Sequence, residues 1–245
     1  MAVGMCECCL PLSRRGFCGA ALALPLGRFG RSGTVEPSLR LAASGVRTVA
    51  LTLDACPGRF DWRIANALVE HDIPATIFVT VIWMRWNPDG LKFLLSHPDV
   101  FAIENHGARH LVPVLGDGEI YGIATLGTMA AIRAEVMDGA AAIAAATGAR
   151  PGWYRAAAGL YSPAVIPAIE AMGFRIAGYS LNSDEGASLP AASVARRIAA
   201  ARDGEVIEGH INQPHRASGA GIVAGLVGLK FAGARFVRLD RAVGI

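Results

Sequence analysis

The sequence lacks the features that mark two large classes of protein. No uninterrupted apolar run reaches the roughly 18 to 20 residues that a membrane-spanning helix needs, because the alanine-rich stretch 129–147 contains Arg133, Glu135 and Asp138. No block of lysine and arginine lies beside interleaved aromatic residues, and the formal net charge is only +3. These absences argue against an integral membrane protein and against a protein that binds nucleic acid.

Cysteine is also scarce, and its placement divides the chain. Four of the five cysteines lie within residues 1–45, which leaves Cys56 alone in the remainder and excludes an intrachain disulfide there. The same leader contains Ser13-Arg14-Arg15-Gly16-Phe17 before a weakly apolar run, a pattern typical of a bacterial twin-arginine export signal. We therefore expect residues 1–45 to be a signal with a disordered linker, and residues 46–245 to be one exported domain, periplasmic or extracellular. A leader without export function is the alternative, since Arg28 and Arg31 shorten the apolar run.

The rest of the chain alternates short apolar or β-branched runs with longer segments of helical period. The runs that predict strands are 48–53, 75–79, 101–104, 153–155, 175–180, 205–208 and 235–238. The segments that predict helices are 61–70, 88–96, 126–146, 162–172, 191–201 and 218–231. Alternating units with nearly continuously apolar strands predict an α/β fold, a distorted (β/α) barrel of about seven parallel strands with outer helices.

Unusual polar residues come directly after the predicted strands or end them. They are Asp54, His106, His110, Arg155, Asp184 and His210. Because the C-terminal ends of parallel strands converge on one mouth of a barrel, these side chains are expected to lie together. Surface polar residues would instead be spread equally over strand starts and ends, so the shared position indicates a functional site.

Taken one at a time, these residues have ordinary structural interpretations as well. His106 and His110 lie on one face, and can share a divalent ion, if the loop between them takes a helical turn. A solvated pair of histidines is an equally good reading of that spacing alone. Asp54 could cap a turn, His210 could be a buried structural histidine, and Arg155 could be only an ion-pair partner.

In this order, however, the residues resemble the five motifs of the polysaccharide deacetylases, the NodB-homology group of carbohydrate esterases. The matching segments are Leu51-Thr52-Leu53-Asp54, His106 with His110, Arg155 with Gly159 and Tyr161, Asp184, Gly209-His210, and 73–79 as the second strand. The resemblance runs from about residue 46 to the C-terminus. It implies a distorted (β/α) barrel that removes an acetyl group from an N-acetylated sugar or polysaccharide with the help of a divalent metal, Zn²⁺ or a similar ion.

The resemblance also implies a role for each residue. His106 and His110 would hold the ion, which activates a water and polarises the acetyl carbonyl. Asp54 would take the proton of the water, and Arg155 would keep Asp54 ionised and oriented. His210, protonated with the help of Asp184, would give a proton to the departing amine. Main-chain N–H groups of residues 156–159 would receive the oxyanion.

The chain departs from the family pattern at two positions near the metal. The family's first motif has two adjacent aspartates, the second a metal ligand, whereas here Ala55 follows Asp54. The second motif has a hydroxyl residue after its first histidine, and this chain has Gly107 instead. The departures suggest a variant subgroup with a TLDAC first motif. They also leave two imidazoles as a weaker metal site than three protein ligands would form.

Three sources could supply the missing ligand. Asp54 could bind the ion directly, although a coordinated carboxylate is a poorer base. Cys56 has a soft sulfur suited to zinc and points to the same side as Asp54 if the strand stays extended, but a small buried hydrophobic side chain is its other interpretation. Glu104 or Asn105 is the third source, although both precede the histidines on the strand itself.

Two functional hypotheses follow. The first is an active metal-dependent amidase that acts on an N-acylated sugar, with an N-acetylated carbohydrate as its partner molecule. The second, motivated by Ala55, is a catalytically degenerate member of the same fold that binds glycan without turnover; an unrelated barrel function is a further alternative. Candidates for stacking against a sugar ring are Trp83, Trp86 and Tyr161. The sequence specifies neither the particular glycan nor the oligomeric state.

Overall fold

The computed structural model describes residues 33–242. Its strands are β1 (Thr48–Ala55), β2 (Ala75–Val79), β3 (Phe101–Asn105), β4 (Val112–Leu115), β5 (Glu119–Ile120), β6 (Ile123–Gly127), β7 (Trp153–Tyr154), β8 (Arg175–Ile176), β9 (Leu181–Asn182), β10 (Val206–His210) and β11 (Arg235–Val237). Its helices are α1 (Trp62–Glu70), α2 (Val81–Trp86), α3 (Pro88–Ser96), α4 (Met129–Thr147), α5 (Val165–Ala171), α6 (Ala191–Ala199) and α7 (Ser218–Phe231). The twin-arginine pattern and Cys6, Cys8, Cys9 and Cys18 lie outside the described residues.

Parallel strands form the main sheet. Seven of them follow the order β8-β7-β3-β2-β1-β10-β9, and β11 pairs with the first half of β1. The sheet curls into a half-barrel with the helices around it, which confirms the distorted (β/α) barrel predicted from the sequence. The β1–β10 pair brings the catalytic candidates together, because Asp54 on β1 is in register with His210 on β10.

Side-chain alternation along β1 separates the core from the site. Successive residues of a strand point to opposite faces of the sheet. Residues on the outer face pack against α1, α2 and α7 in the largest apolar cluster, and they include Val49, Leu51, Leu53 and Ala55. The other face turns toward the interior of the barrel and carries Ala50, Thr52 and Asp54. The strand therefore anchors the fold on one side and presents a carboxylate on the other.

The α6–α7 pair shows how glycine permits close packing on the outside of the sheet. A Cβ atom on Gly221 would lie 2.4 Å from the carbonyl oxygen of Ala191, and one on Gly225 would lie 2.8 Å from Cβ of Ile198. Because such approaches are shorter than any real contact, α7 needs glycine at both positions. Within residues 33–242, none of the helices combines the length and the apolar character needed to cross a membrane.

The structure corrects several predicted elements. The helix predicted over 126–146 begins at Met129, because 123–127 forms β6 of a small second sheet with the order β4-β6-β5. Of the strand predicted over 175–180, only Arg175–Ile176 forms a strand (β8), and β9 follows the predicted range at Leu181–Asn182. The helix predicted from Ser162 begins at Val165, because the Ser162 hydroxyl accepts a hydrogen bond from the Leu115 N–H instead of capping the helix. Helix α2 was not predicted.

The segment before β1 contacts the barrel. Val35 forms an isolated antiparallel bridge with Tyr161, and Arg40 forms one with Glu205. Leu41 is buried in the barrel interior beside β10. This stretch of the expected linker therefore lies against the domain, and the division of the chain at residue 45 stays a prediction.

Candidate active site

A cavity of about 830 Å³ opens at the C-terminal ends of the strands. Its volume lies within the range of small-molecule sites, about 300 to 1,000 Å³. Side chains predicted from the sequence to share a site line it, namely Asp54, Cys56, His106, His110, Arg155 and His210. The structure therefore brings together residues that are up to 156 positions apart in the chain. Asp184 lies behind His210 and contacts it directly.

Asp54 and Arg155 form a buried ion pair. The Nη1 of Arg155 donates to Oδ1 of Asp54 at 2.9 Å. The remaining guanidinium groups are fixed as well, since Nε donates to the Ala177 carbonyl at 3.1 Å and Nη2 to the Gly178 carbonyl at 3.1 Å. The guanidinium carbon also lies 4.4 Å from the ring centroid of Phe78. Because every edge of the guanidinium is held, the orientation of the carboxylate is fixed as well.

The surroundings of Asp54 favour its ionised form. Burial alone would raise the pKa of Asp54, but the charge and the hydrogen bond of Arg155, with the charge of His210, outweigh burial and lower this pKa below its ordinary value. The carboxylate is thus available as a proton acceptor at neutral pH.

The loop between His106 and His110 brings the two imidazoles together without the helical turn on which the prediction from their spacing depended. Gly107 and His110 both have positive φ, +88° and +63°. The ring centroids are 5.0 Å apart and the ring planes are inclined by 63°. The loop reverses its direction so sharply that residues four apart face each other across a turn.

Glu135 on α4, which the sequence reasoning missed, holds this loop. Its carboxylate accepts hydrogen bonds from the N–H of Arg109 at 2.7 Å and from Nε of Arg109 at 3.0 Å, although the Glu135 side chain is only 1% exposed. A Cβ atom on Gly107 would lie 2.6 Å from Oε1 of Glu135. Glycine therefore replaces the hydroxyl residue of the family pattern, because the carboxylate and the positive φ leave no room for a side chain.

The tautomer of His106 follows from its partner. Its Nδ1 lies 2.8 Å from the carbonyl oxygen of Arg155. Because a carbonyl oxygen only accepts, Nδ1 carries the proton, and the lone pair of a neutral ring lies on Nε2. Burial lowers the pKa of His106 despite the opposing charge of Asp54, so the ring is neutral at pH 7. Nε2 faces the Cys56 sulfur at 3.5 Å and Oδ2 of Asp54 at 3.7 Å.

The donor set around His106 fits a divalent metal. One ligand atom each from Cys56, His106 and His110 lies within 4.8 Å of the other two, and all three residues are buried. Tetrahedral zinc with sulfur and nitrogen ligands places neighbouring donors about 3.4 to 3.6 Å apart. Burial also lowers the pKa of His110 well below its ordinary value, which keeps that ring neutral, the form that binds a metal.

The structure does not bring the third predicted source of a ligand to this set. Oε2 of Glu104 accepts a hydrogen bond from the Trp153 N–H at 2.8 Å, between strands β3 and β7. The Asn105 amide donates to the Val136 carbonyl and accepts from the Gly107 N–H. Both side chains are committed to the scaffold, so the structure removes Glu104 and Asn105 as candidates.

His210 is held from behind by Asp184, which is fully buried. Oδ1 of Asp184 lies 3.0 Å from Nδ1 of His210, and Oδ2 accepts from the His210 N–H at 2.9 Å. Burial alone would lower the pKa of His210, but the carboxylates of Asp184 and Glu208 raise this pKa well above its ordinary value. The imidazole is therefore protonated at neutral pH and can act as a proton donor.

Glu208 is a second residue that sequence reasoning missed. It lies two positions before His210 on the same face of β10, is 3% exposed, and places Oε1 3.3 Å from Nδ1 of His210. Its Oε2 has no hydrogen-bond partner within the described part of the chain. Burial, together with the charges of Asp184 and Asp54, raises the pKa of Glu208 to about 8. A carboxylate inside an apolar strand, with the spacing Glu-Gly-His, was the signal in the sequence.

The aromatic candidates for sugar stacking need correction. Trp83 and Tyr161 are 0% and 1% exposed and belong to the core; the Tyr161 hydroxyl accepts from the Ala156 N–H at 2.8 Å. Trp86 is exposed but does not line the cavity. The cavity is instead bordered by Tyr121, which is 58% exposed at the turn between β5 and β6, and by Tyr179.

Two of the four main-chain N–H groups proposed for the oxyanion are engaged elsewhere. The Ala156 N–H donates to the Tyr161 hydroxyl, and the Gly159 N–H donates to the Ala156 carbonyl at 3.0 Å. Ala158 borders the cavity in a left-handed conformation with φ of +59°. Only the N–H groups of residues 157 and 158 therefore stay as candidates for that role.

Comparisons with known proteins agree with the fold. The family described as Polysaccharide deacetylase matches residues 42–177, more than half of the 245 residues. A peptidoglycan N-acetylglucosamine deacetylase of known structure is 20% identical, with 84% of this chain and 91% of that chain covered and a TM-score of 0.69. A family 4 carbohydrate esterase from Streptomyces lividans in complex with acetate is 20% identical, with 83% and 98% covered and a TM-score of 0.64.

A further structural neighbour is described as a pseudoenzyme. It is a family 4 carbohydrate esterase pseudoenzyme from Bacillus anthracis, 18% identical, with 80% of this chain and 65% of that chain covered and a TM-score of 0.62. At these identities the structural likeness shows the fold alone. Among curated proteins, no sequence matches this chain.

Proposed function

Because the chain belongs to the polysaccharide deacetylase family, we propose that it is a metal-dependent hydrolase that removes an acetyl group from an N-acetylated sugar or polysaccharide. One observation carries this proposal: an ionised Asp54 and a protonated His210 lie in register on adjacent strands at the edge of one cavity. Two titratable groups whose surroundings push their pKa values apart are the usual arrangement of a catalytic base and acid.

In this proposal His106 and His110 hold the metal. When bound, a divalent ion supplies a Lewis acid for the acyl oxygen and makes a water more acidic. Asp54 accepts the proton of the attacking water, and Arg155 keeps the carboxylate aimed at that water. His210 donates its proton to the nitrogen as the C–N bond breaks, so that acetate and a free amine leave.

The rim of the cavity suits a carbohydrate. Tyr121 offers an exposed ring on the hairpin turn, and sugar rings with an apolar face stack well on such rings. Glu36, Tyr179 and Asn182 provide polar groups around the same opening. We also propose, from the twin-arginine pattern, that the protein acts outside the cytoplasm, where peptidoglycan and other N-acetylated glycans are found.

A glycan-binding protein without turnover is the second candidate, and Ala55 favours it. The Ala55 side chain is fully buried in the outer core and cannot replace the carboxylate ligand of the family pattern. Retention of the pairs Asp54–Arg155 and His210–Asp184 favours catalysis, because a binding module needs neither pair.

The experiment that separates the two incubates the purified protein with chitin oligomers, acetylated peptidoglycan fragments and simple acetamides, with and without a chelator. We expect acetate release that the chelator abolishes and that added Zn²⁺ or Co²⁺ restores. Metal-independent release would contradict the metal mechanism. Absent release across the panel, together with glycan binding, would establish the binding protein instead.

Two variants divide the roles of the histidines. His106→Ala should lose metal uptake, whereas His210→Ala should keep the metal and lose turnover by roughly 10² to 10⁴. His215→Ala, which removes an exposed histidine outside the cavity lining, is the matched control and should leave both unchanged. Equal metal content in the parent and His106→Ala would contradict the assignment of His106.

A further inference from the structure

His106 and His110 supply two protein ligands of the metal, and the residue that supplies the third has not yet been assigned. Resting on the function proposed above, we infer that Cys56 supplies it as a thiolate, so that the ion is bound by one sulfur and two imidazoles. Three protein ligands with one open position are the usual set of a catalytic zinc site. The inference assigns this chain a ligand chemistry different from the oxygen ligand of its family's pattern.

Cys56 directly follows β1, and this position makes it the replacement. Ala55 points into the outer core, so position 55 offers no donor. Cys56 returns to the face of Asp54, because alternate residues of an extended chain share a face. It is 2% exposed, and it lines the same cavity as His106 and His110. The chain thus recovers one residue later the ligand that it lacks at Ala55.

The distances support direct ligation. Zn–S and Zn–N bonds of about 2.3 and 2.05 Å at a tetrahedral angle separate sulfur from nitrogen by about 3.6 Å. The sulfur of Cys56 lies 3.5 Å from Nε2 of His106. The pair therefore already has the spacing of two donors that share one ion.

The tautomer of His106 supports ligation independently. The Arg155 carbonyl holds the proton of His106 on Nδ1, which leaves the Nε2 lone pair facing the sulfur. Metal-binding histidines are commonly oriented by a carbonyl on the other ring nitrogen in this way. When the ion binds, the Cys56 thiol loses its proton to solvent, and the cation occupies the space between the two donors.

Asp54 is less suited to the same role. Its Oδ1 is bound by Arg155, and its remaining oxygen is required as the base. A soft thiolate also changes the choice of metal, since sulfur favours zinc and cobalt, whereas Mg²⁺ and Mn²⁺ prefer oxygen ligands. We therefore expect Zn²⁺ or Co²⁺ in the site, with no displacement by a tenfold excess of Mg²⁺.

Cobalt titration of the full chain tests the inference, because thiolate bound to Co²⁺ gives an intense charge-transfer absorption in the near ultraviolet. We expect one Co²⁺ per chain with this band. The band should disappear in Cys56→Ser, whose Co²⁺ affinity should fall by about 100-fold or more, since even indirect partners of metal ligands change affinity by about 10- to 100-fold. A control with Cys6, Cys8, Cys9 and Cys18 all changed to serine should keep the band.

If Cys56→Ser does not fold, the test is X-ray absorption of the zinc-loaded control in which Cys6, Cys8, Cys9 and Cys18 are serine. One Zn–S distance near about 2.3 Å supports the inference, and a shell of nitrogen and oxygen alone overturns it. An unchanged band in folded Cys56→Ser, a parent that binds Co²⁺ without the band, or a parent that binds no Co²⁺ also overturns it. Acetate release measured on the same samples distinguishes the two proposals. Release without sulfur ligation overturns only the inference about Cys56, and sulfur ligation without release overturns only the proposed deacetylase activity.

Discussion

Replacing Asp184 by asparagine perturbs the proposed acid without touching the cavity. Asp184 accepts two hydrogen bonds from His210 with two different oxygens, one from the main chain and one from the ring. Asparagine has one oxygen and one NH₂ group, so one of the two contacts must place a donor opposite a donor or force His210 into its other tautomer. The variant therefore removes the negative charge and also disturbs the orientation of the ring.

The magnitude follows from these contacts. Loss of one charge-assisted hydrogen bond at a fully buried site costs about 1.5 to 3 kcal/mol of folding free energy. The pKa of His210 falls, because burial lowers it and only Glu208 and a hydrogen bond with Cys56 continue to oppose burial. With His210 neutral at pH 7, loss of the general acid should slow acetate release by roughly 10² to 10⁴.

The stability of Asp184→Asn should depend on pH with a defined sign. The pKa of His210 is raised in the folded protein, so the stabilisation by Asp184 is fully present below the unfolded pKa of about 6.5. It is lost as the pH rises through the folded pKa of His210. The difference in unfolding free energy between parent and variant should therefore be largest near pH 6 and should shrink in alkaline solution.

The assay is an NMR titration of the imidazole signals, with His210 assigned by comparison with His210→Gln. A titration midpoint of His210 that lies well above 6.5 in the parent and falls in Asp184→Asn is the expected result. Urea unfolding at pH 6 and pH 9 measures the stability difference. An equal midpoint in parent and variant, or a stability difference that grows with pH, would refute the reasoning.

Three further outcomes are expected. Arg155→Met leaves Asp54 buried without its cation, so the variant should lose about 3 to 5 kcal/mol of unfolding free energy in denaturant melts. The acidic limb of its pH–activity profile should also move to higher pH, and an unmoved limb would argue against Asp54 as the base. Glu208→Gln should lower the NMR titration midpoint of His210, but by less than loss of Asp184 does, and an unchanged midpoint would contradict the coupling of the two groups. Tyr121→Ala should leave the melting temperature unchanged and raise KM for chitin oligomers roughly 2- to 10-fold, with kcat unaltered; an unchanged KM would remove Tyr121 from sugar binding.

The sequence was sufficient to predict which residues lie at the mouth of the barrel. Asp54, His106, Arg155 and His210 each end or follow an apolar run, and the parallel arrangement of the runs alone places their side chains at one edge of the sheet. The roles proposed for these residues stay predictions that the variants above test. The general fold was predictable for the same reason, because strand and helix periods differ clearly.

Other parts of the site depend on long-range contacts that no local sequence pattern predicts. The spacing of His106 and His110 predicted a shared face only if the loop took a helical turn, but a carboxylate 26 positions away on α4 holds the loop in a tight reversal. Tyr121, which borders the cavity, lies in a two-residue turn between strands too short to give a periodic signal. Glu208 was overlooked because one charge in a strand becomes notable only when its burial is known.

The pairing of β1 with β10 makes the geometry of proton transfer independent of the segments that select the glycan. Because the proposed proton acceptor and proton donor stand opposite each other on neighbouring strands, their separation is fixed by the spacing of the sheet, about 4.8 Å between backbones. The groups that border the opening, including the hairpin that carries Tyr121, belong to connecting segments. Exchange of those segments could therefore redirect the protein to another glycan while the proton-transfer geometry stays the same.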